Sequence, residues 1–390
     1  MLVSWRAVVA RRLARHGLVV PLPDAATAVS AMVGAHAQVL SAAELAIGLR
    51  TAGATGDTTR DALWRDQALV KTFGPRGTVH LVAAGELGRW LAAFSNLAPL
   101  SSPVEGVSLD EGETDAVVAA IADALAMAGV AGVPLTTQEL GDEVVARVGD
   151  WAGALTFPAF SGFWPRWRPA ISTAAYRGML CFGPPRGARV TYTRPPEASD
   201  AVGMSGEDAA LWLLRRYLAS YGPASPAEFA QWLAVPVTRA HDVFALADLE
   251  RVGITEAEGR GAPNGSAARS IDAGDTAFTE DAVPGVRLLP YFDPFIVGSH
   301  PRALLFPDAA RRAMPKGSAG NFPVLLVDGV AGGLWHAKRA GKRVVITVEP
   351  LVRLTKQRSR ELDRQVQRVG ELSGALPELV LGPVPVGPHA

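Results

Sequence analysis

The chain has 390 residues, and its 38 lysines and arginines balance 38 aspartates and glutamates, so the formal net charge is zero. This balance excludes a polybasic tail-like binder and an acidic disordered chain. Apolar residues make up 48% of the sequence, which is enough to build folded cores, and the length suits about two to four domains.

The first hundred residues predict helices followed by a two-stranded hairpin. Helical periodicity and capping signals mark three segments, at Leu2–His16, at Ala25–Ala35 and, from a capping box of Ser41 and Glu44, up to Arg50. Residues 68–82 then have the pattern of a strand, a tight basic turn containing Arg76, and a second strand. Helices followed by a hairpin are typical of a winged helix, which is a variant of the helix-turn-helix.

The same pattern recurs twice along the chain. Thr136 and Glu139 predict a capping box, residues 165–176 predict another helix, and the turn Phe73–Gly77 is echoed by Phe182–Gly187. A third, weaker copy combines three helices, a strand and a long loop that would be its wing, at Gly206–Tyr221, Pro226–Leu233, Thr238–Ala247, Arg251–Glu256 and Gly259–Ser266.

The apolar period changes to that of strands from about residue 284. Strands are predicted at 286–290, 324–327, 330–338 and 343–349, with a hairpin turn at Asp328-Gly329, and a helix is predicted at 350–370. We therefore predict an α+β, mostly helical fold with three tandem winged-helix domains and a small C-terminal β-barrel-like domain. The predicted winged helices span 1–100, 113–200 and 201–280, the linker 101–112, the β domain with its basic hairpin 281–380, and a flexible tail 381–390.

Charge is segregated along this neutral chain. Residues 151–196 contain six arginines and no acid, residues 336–368 contain ten lysines and arginines against three acids, and residues 101–150 contain ten acids against one arginine. Basic segments that coincide with wings and a hairpin suit a binder of the DNA phosphate backbone, and the interleaved Trp164 and Trp167 add a stacking surface. The competing interpretation is that basic and acidic segments neutralise each other across domain interfaces.

Familiar catalytic signatures are missing from the sequence. There is no P-loop, nucleophile elbow or His-Glu-x-x-His motif, and the seven histidines lack metal-ligand spacing. The single cysteine, Cys181, excludes a disulfide framework and a cysteine-based zinc site and favours a reducing compartment. Because neither a secretory signal nor a run of about 18 apolar residues is evident, we expect a cytoplasmic protein with no membrane span.

Five parts of the sequence carry a resemblance to a known family, at Met32–Val39, at Leu63–Asp66 with Leu69–Val82, at Tyr221–Ser225 with Phe229–Trp232, at Leu289–Phe295 and at Leu326–Trp335. Together they resemble the AlkZ/YcaQ-type winged-helix DNA glycosylases, and the resemblance covers most of the chain. The active site of that family is a Gln-hydrophobic-Gln triplet, in which His replaces the first Gln in some members. The resemblance therefore implies that His36 and Gln38, with Ala37 between them, are catalytic. It implies neither a metal nor an organic cofactor.

The implied reaction is the monofunctional excision of alkylated purines, N7-alkylguanine first and bulky natural-product adducts or crosslinks in addition. An N7-alkylated guanine is cationic and already a good leaving group, so the enzyme mainly has to position water against an oxocarbenium-like sugar. Gln38 can accept a hydrogen bond from that water, and neutral His36 can orient the water or act as a weak base. The alternative is that both side chains only satisfy backbone groups at a helix junction.

The predicted DNA contacts fall into three groups, which are Arg76, Thr78 and His80, then Arg166, Arg168 and Arg186, and finally Lys338, Arg339 and Lys342. For each group a solvated surface is the competing interpretation, whereas Asp293 and Trp64 are predicted to be structural. The expected partner is double-stranded DNA with alkylated bases, bound by a monomer. Two other classes of protein stay open: a non-enzymatic winged-helix transcription regulator, and a scaffold that uses winged helices for protein contacts.

Overall fold

The structure is a computed structural model that describes residues 1–97, 108–159, 162–197, 200–255, 268–279, 285–307, 310 and 322–384. With 45% helix and 24% strand, the fold is α+β with more helix than strand, as predicted.

The helices in chain order are α1 (Trp5–Arg15), α2 (Ala25–Ala31), α3 (Leu40–Gly48), α4 (Thr58–Trp64), α5 (Leu87–Leu97), α6 (Glu111–Val130), α7 (Thr137–Val148), α8 (Ala170–Tyr176), α9 (Gly206–Tyr221), α10 (Pro226–Leu233), α11 (Val237–Ala245), α12 (Pro294–Gly298), α13 (Arg302–Leu305) and α14 (Lys356–Leu372). The strands are β1 (Leu2–Ser4), β2 (Ala35–His36), β3 (Leu69–Phe73), β4 (Val79–Ala83), β5 (Leu135–Thr136), β6 (Leu155–Ala159), β7 (Gly162–Pro165), β8 (Cys181–Arg186), β9 (Arg189–Thr193), β10 (Leu249–Thr255), β11 (Arg269–Asp272), β12 (Val286–Leu289), β13 (Val324–Val327), β14 (Val330–Ala340), β15 (Arg343–Pro350) and β16 (Leu376–Leu381).

Three stretches of the chain share one order of elements: a helix, a short strand, two helices and a two-stranded hairpin. The first runs from α2 to β4, and its sheet has the order β2-β4-β3. The second runs from α6 to β9 with the order β5-β9-β8, and the extra hairpin β6–β7 is inserted between its second and third helices. The third runs from α9 to β11, where an isolated bridge between Ala224 and Ser270 takes the place of the short strand. We call these stretches the first, second and third units.

The first unit has a core on each face of its sheet. Ala35, Ala37 and Leu81 pack with residues of α2, α3 and α4 on one face. On the other face, Val70 and Val82 pack with residues of α9 and α10 from the third unit. Because side chains alternate along a strand, His36 faces away from the core that holds Ala35 and Ala37, toward the junction between the units.

One of the two predicted capping boxes is wrong and the other is confirmed. Helix α3 begins at Leu40, so Ser41 lies inside the helix and the N-cap residue is Val39, which has no polar side chain to cap it. Glu44 forms an ion pair with Arg60, with 2.7 Å between Oε1 and Nε. At α7 the hydroxyl of Thr136 accepts from the N–H of Glu139, and the Glu139 carboxylate accepts from the N–H of Thr136.

The predicted N-terminal helix begins later than expected. Residues 2–4 form strand β1, which pairs in parallel with Gly253–Thr255 of β10, and α1 begins only at Trp5. Ser4 then caps α1 by accepting from the N–H of Ala7. The strand that pairs with β1 lies some 250 residues further along the chain, so no local pattern marks residues 2–4 as a strand. The helical periodicity of α1 continues through these residues and predicts a helix there.

The C-terminal sheet is open, which corrects the β-barrel-like prediction. Its order is β12-β13-β14-β15-β16, and in the part of the chain that the structure describes β12 and β16 remain two separate edges. The last strand pairs in parallel with β15, and the connection between them is α14. Leu362, Val366 and Val369 of α14 pack on one face of the sheet. The helix therefore shields this apolar face from water, which in a barrel would be done by closure of the sheet. The Asp328-Gly329 hairpin turn is present, with φ of +50° and +83°.

Three other predicted segments fall partly or wholly outside the described residues. Of the linker 101–112, residues up to 107 are outside, and its last two residues belong to α6. The third wing, Gly259–Ser266, and the final residues 385–390 are also outside. The described part of the predicted tail is held in place, because Leu381 ends β16 and the N–H of Val384 donates to the Glu349 carboxylate at 2.8 Å.

Candidate active site

His36 occupies the short strand β2, directly after a tight turn. Helix α2 ends at Ala31, and Val33 and Gly34, with φ of +55° and +85°, turn the chain into β2. Glycine adopts such a conformation without the steric penalty that other residues pay. His36 is then paired in register with His80 of β4, and the ring centroids lie 5.2 Å apart at an interplanar angle of 78°. The sheet therefore places two histidines side by side on the face opposite the first core.

A small cavity lies against these two rings. Its volume is about 10 Å³, and its walls include His36, Arg76, His80, Tyr221 and Phe292. A cavity of this size has room for about one water molecule. His36 is only 8% exposed, and its Nδ1 is buried without a hydrogen-bond partner among the described residues. An unpartnered buried nitrogen beside a polar, water-sized cavity is a suitable anchor for a water molecule.

Both histidines are neutral at pH 7. Burial, with a smaller contribution from the positive charge of Arg76, lowers the pKa of His36 to about 4. Burial also lowers the pKa of His80 well below its usual value, with His36 and Arg76 acting in the same direction. His80 Nδ1 lies 2.9 Å from the carbonyl oxygen of Thr78. Because a carbonyl only accepts, Nδ1–H donates, and Nε2 of His80 is left as an acceptor.

Gln38, two residues beyond His36, is exposed and does not line the cavity. Ala37 between them is 1% exposed in the core, and its N–H donates to the carbonyl oxygen of Val79 at 2.7 Å. The Oε1 of Gln38 accepts from the N–H of Val79 at 3.4 Å, which is a long bond and leaves a second lone pair free. Gln38 thus satisfies a backbone group, as the alternative interpretation expects, whereas His36 Nδ1 does not.

Sequence reasoning missed the aromatic cover of His36. The ring centroid of Phe292 lies 4.5 Å from that of His36, and Phe292 has a φ of +52°, which is unfavourable for a bulky residue. The signal was present in Leu289–Phe295, where Asp293 drew attention instead. Asp293 is structural, as predicted: it accepts from the N–H of Phe295 at 3.0 Å and forms a fully buried ion pair with Arg50.

In the first group of predicted DNA contacts, Arg76 and His80 line the cavity rather than an open wing. Arg76 is in the tight turn with a φ of +61°, and its Nη1 donates to the carbonyl oxygen of Trp232 in the third unit at 2.8 Å. His80 is 3% exposed, and the half-buried Thr78 donates its hydroxyl to the carbonyl oxygen of Pro75 at 3.1 Å. Direct contact of Arg76 or His80 with DNA therefore requires rearrangement.

The second group is partly neutralised by the acidic segment. Arg166 pairs with Glu113 at 2.8 Å, and Arg186 pairs with Glu139. For these arginines the structure favours neutralisation between segments. Arg168 differs, because its guanidinium lies 4.4 Å from the ring centroid of Trp164 and forms no ion pair with a described residue.

The third group forms an exposed basic hairpin. Lys338 and Lys342 are exposed at the end of β14–β15, and Arg339 donates to the carbonyl oxygen of Ser373 at 2.8 Å. None of the three lines the cavity at His36. The hairpin is connected to the site through Trp335, whose indole N–H donates to the carbonyl oxygen of Leu289 at 2.9 Å, three residues before Phe292.

The described parts of the chain contain neither a candidate metal site nor a helix that could span a membrane. No group of three or more His, Cys, Asp or Glu side chains there could hold a metal ion. Over the same residues, no helix has the length and apolar character needed to cross a lipid bilayer.

Comparison with known proteins identifies the class of protein to which this fold and site belong. The family model described as "DNA glycosylase AlkZ-like" matches residues 29–372. The chain is 31% identical over 365 residues to an interstrand DNA cross-link repair glycosylase of Streptomyces sahachiroi, which covers 90% of this chain and 92% of that protein. The solved structure of the Streptomyces sahachiroi DNA glycosylase AlkZ is similar with a TM-score of 0.76 and 25% identity, over 98% of this chain and 100% of the other.

This chain belongs to the AlkZ-like DNA glycosylase family. It is an enzyme of DNA repair that hydrolyses N-glycosidic bonds, as the sequence predicted. Of the classes left open by the sequence, membership in this family favours the enzyme over the non-enzymatic regulator and the interaction scaffold.

Proposed function

We propose that this glycosylase excises alkylated purines, with N7-alkylguanine as the preferred lesion and His36 and Gln38 as the catalytic residues. The observation that carries the proposal is the buried Nδ1 of His36, which has no hydrogen-bond partner among the described residues and belongs to a side chain that lines a water-sized cavity. Gln38 follows two residues later, with its amide oxygen only weakly engaged by the N–H of Val79. In this proposal His36 and Gln38 hold the attacking water through a ring nitrogen and an amide oxygen.

The neutral histidines of the site suit a leaving group that is already cationic, because such a base needs no proton from the enzyme. The bond to the base breaks, the base leaves as a neutral molecule with the bonding electrons, and the water adds to C1′ of the sugar and releases one proton to solvent. No proton donor to the base is needed, and His36, whose pKa of about 4 keeps it neutral, provides an acceptor for the water. A base of such low pKa mainly orients the water, because the departure of the cationic base leaves an oxocarbenium-like sugar that reacts readily with a weak nucleophile. Phe292 has to move for the sugar to approach His36.

We propose a monofunctional mechanism. A bifunctional glycosylase attacks with an amine to form a Schiff base, and no lysine lines the described walls of the cavity at His36. Hydrolysis then leaves an intact strand with an abasic site.

We further propose that the substrates include bulky N7 adducts and interstrand crosslinks, in DNA repair or in self-resistance to a genotoxin. The Streptomyces sahachiroi relative is named for interstrand DNA cross-link repair, which supports this extension. The proposed substrate is double-stranded DNA bound by a monomer in the cytoplasm, at the nucleoid during repair.

We propose that the three units are tandem winged helices, because each repeats the same order of helices and strands. The exposed Lys338, Arg339 and Lys342 would then contact phosphates, together with Arg168. Arg166 and Arg186 would contact phosphates by exchanging their acidic partners for phosphate groups. Arg76, Thr78 and His80 would support the pocket at His36.

The test uses three duplexes that carry N7-methylguanine, a bulky N7-guanine adduct or an N7–N7 interstrand crosslink. We expect release of the modified base from the first two and unhooking of the third, with abasic sites that are cleaved only after alkali. If the enzyme releases a modified base from none of the three duplexes, the proposed class of lesion is wrong. Strand cleavage without alkali would overturn the monofunctional mechanism.

A further inference from the structure

A second and much larger cleft lies in the second unit, between α7, the inserted hairpin β6–β7 and strand β9. Its volume is about 1160 Å³, and among the described residues none lines both this cleft and the cavity at His36. Its walls include Phe163, Trp164 and Trp167 on one side and Arg168 and Arg189 beside them. We call this the aromatic cleft.

The aromatic side chains of the cleft differ in their exposure to solvent. Trp167 is 2% exposed and anchors the wall in the first core, which also holds Ala35 and Ala37. Trp164 is half-buried, and Phe163 is 60% exposed. The ring of Trp164 stacks with that of Phe157, at an angle of 8° with centroids 6.3 Å apart, and the guanidinium of Arg168 also lies against it. Phe163 therefore presents the most accessible ring of the cleft. Leu155, which also lines the cleft, is 67% exposed. Contiguous exposed apolar side chains of this kind commonly mark a binding surface.

The charges of the aromatic cleft favour an anion. Arg168 and Arg189 form no ion pair with any residue in the described ranges, although the neighbouring Arg166 and Arg186 both do. One carboxylate, that of Asp142, lines the same cleft. Two unpaired guanidinium groups against one acid leave an excess of positive charge beside the exposed rings.

We propose that the aromatic cleft binds a short unpaired segment of a DNA strand. Exposed rings on which bases stack, beside cations that contact phosphates, are the features that bind single-stranded nucleic acid. The volume exceeds the range of roughly 300–1,000 Å³ typical of sites for drug-sized ligands, and therefore suits several nucleotides better than one free base. The paired and stacked bases of an intact duplex do not present their faces to such rings. The source of the strand, DNA opened next to a lesion, rests on the proposed function.

The test measures fluorescence anisotropy of a labelled oligothymidylate of about 12 nucleotides, a length within the usual range of single-strand sites. Phe163→Ala should weaken binding about tenfold, and Phe163→Tyr, which keeps a ring, should bind like the wild type. Arg189→Gln should reduce the slope of log affinity against log salt by about 0.7. Met127→Ala and Arg6→Gln, at exposed positions outside the cleft, are the matched controls and should bind like the wild type.

Unchanged affinity in Phe163→Ala, or no binding of oligothymidylate by the wild type, would overturn the proposal. Release of N7-methylguanine from a duplex is measured on the same preparations. If the wild type releases the base but oligothymidylate binding does not depend on Phe163, the aromatic cleft fails and the proposed function stands. If binding depends on Phe163 but no base is released, the proposed function fails and the aromatic cleft stands.

Discussion

Arg50 and Asp293 form a two-bonded ion pair inside the protein, with 2.7 Å from Nη2 to Oδ1 and 2.9 Å from Nη1 to Oδ2. Both side chains are 0% exposed. Arg50 follows α3 in the first unit, whereas Asp293 lies between β12 and α12 and directly follows Phe292. The pair therefore ties the segment that covers His36 to the unit that carries His36.

Breaking this pair should destabilise the fold strongly. Arg50→Met or Asp293→Asn leaves a buried group without its partner, which costs about 3–5 kcal/mol of unfolding free energy, measured by urea denaturation. The double variant Arg50→Met/Asp293→Leu should lose less than either single variant, because it leaves no buried charge. Glu378→Gln, which removes the exposed partner of Arg343, is the control and should cost less than about 1 kcal/mol. A cost near that of the control would contradict the account of Arg50.

The pH dependence of base release should reflect the low pKa of His36. A pKa of about 4 keeps the ring neutral throughout the range from pH 8 to pH 5, so the single-turnover rate should be nearly flat there. A histidine with an ordinary pKa of about 6.5 would instead lose activity about tenfold between pH 7 and pH 5.5. Such a loss in the wild type would contradict the assigned environment of His36.

Acid should destabilise the fold through the same residue. His36, which faces His80 and Arg76, takes up its proton near pH 6.5 when unfolded but only near pH 4 when folded. Between these values the unfolded state binds more protons, so stability is lost as the pH falls, by roughly 3 kcal/mol across the window. Urea midpoints at pH 7 and pH 4.5 should therefore differ less in His36→Gln than in the wild type. An equal difference in both proteins would mean that His36 does not titrate in this way.

The C-terminal hairpin should contribute to DNA affinity through charge alone. Lys338→Gln and Lys342→Gln should each reduce the salt slope of duplex binding by about 0.9, with little dependence on sequence. Arg177→Gln is the matched control, because Arg177 is ion-paired to Asp115 at 2.6 Å and is expected to make no phosphate contact. If Lys338→Gln and Lys342→Gln both keep the salt slope of the wild type, as the control should, the hairpin does not contact phosphates.

Local sequence patterns predicted individual helices and strands of this fold better than they predicted which strands pair with each other. The helix Gly206–Tyr221 and the strand Val324–Val327 have the predicted bounds, because apolar period, caps and breakers lie within the element itself. Strands β1 and β16 were missed, since each is defined by pairing with a strand far along the chain or across a helix. The open C-terminal sheet was mistaken for a barrel-like domain for the same reason.

The candidate site shows the same limit. The resemblance to a family located His36 and Gln38, but no pattern around residue 36 indicates that Phe292 covers the ring or that burial, together with Arg76, lowers the pKa of His36. Charge counting also misled in part, because the arginines of 151–196 include Arg166 and Arg186, which pair with acids of the preceding segment. Their sequence neighbours Arg168 and Arg189 remain unpaired among the described residues, and only three-dimensional contacts separate the two kinds.

The central claim is tested most directly by the single-turnover rate of N7-methylguanine release from a duplex by the wild type, His36→Ala and Gln38→Ala. His241→Ala and Gln231→Ala, at exposed positions of the third unit, serve as matched controls. We predict that both site variants fall by about 100-fold or more while they still bind the duplex, and that both controls keep the rate of the wild type. Wild-type rates in both His36→Ala and Gln38→Ala would contradict the account.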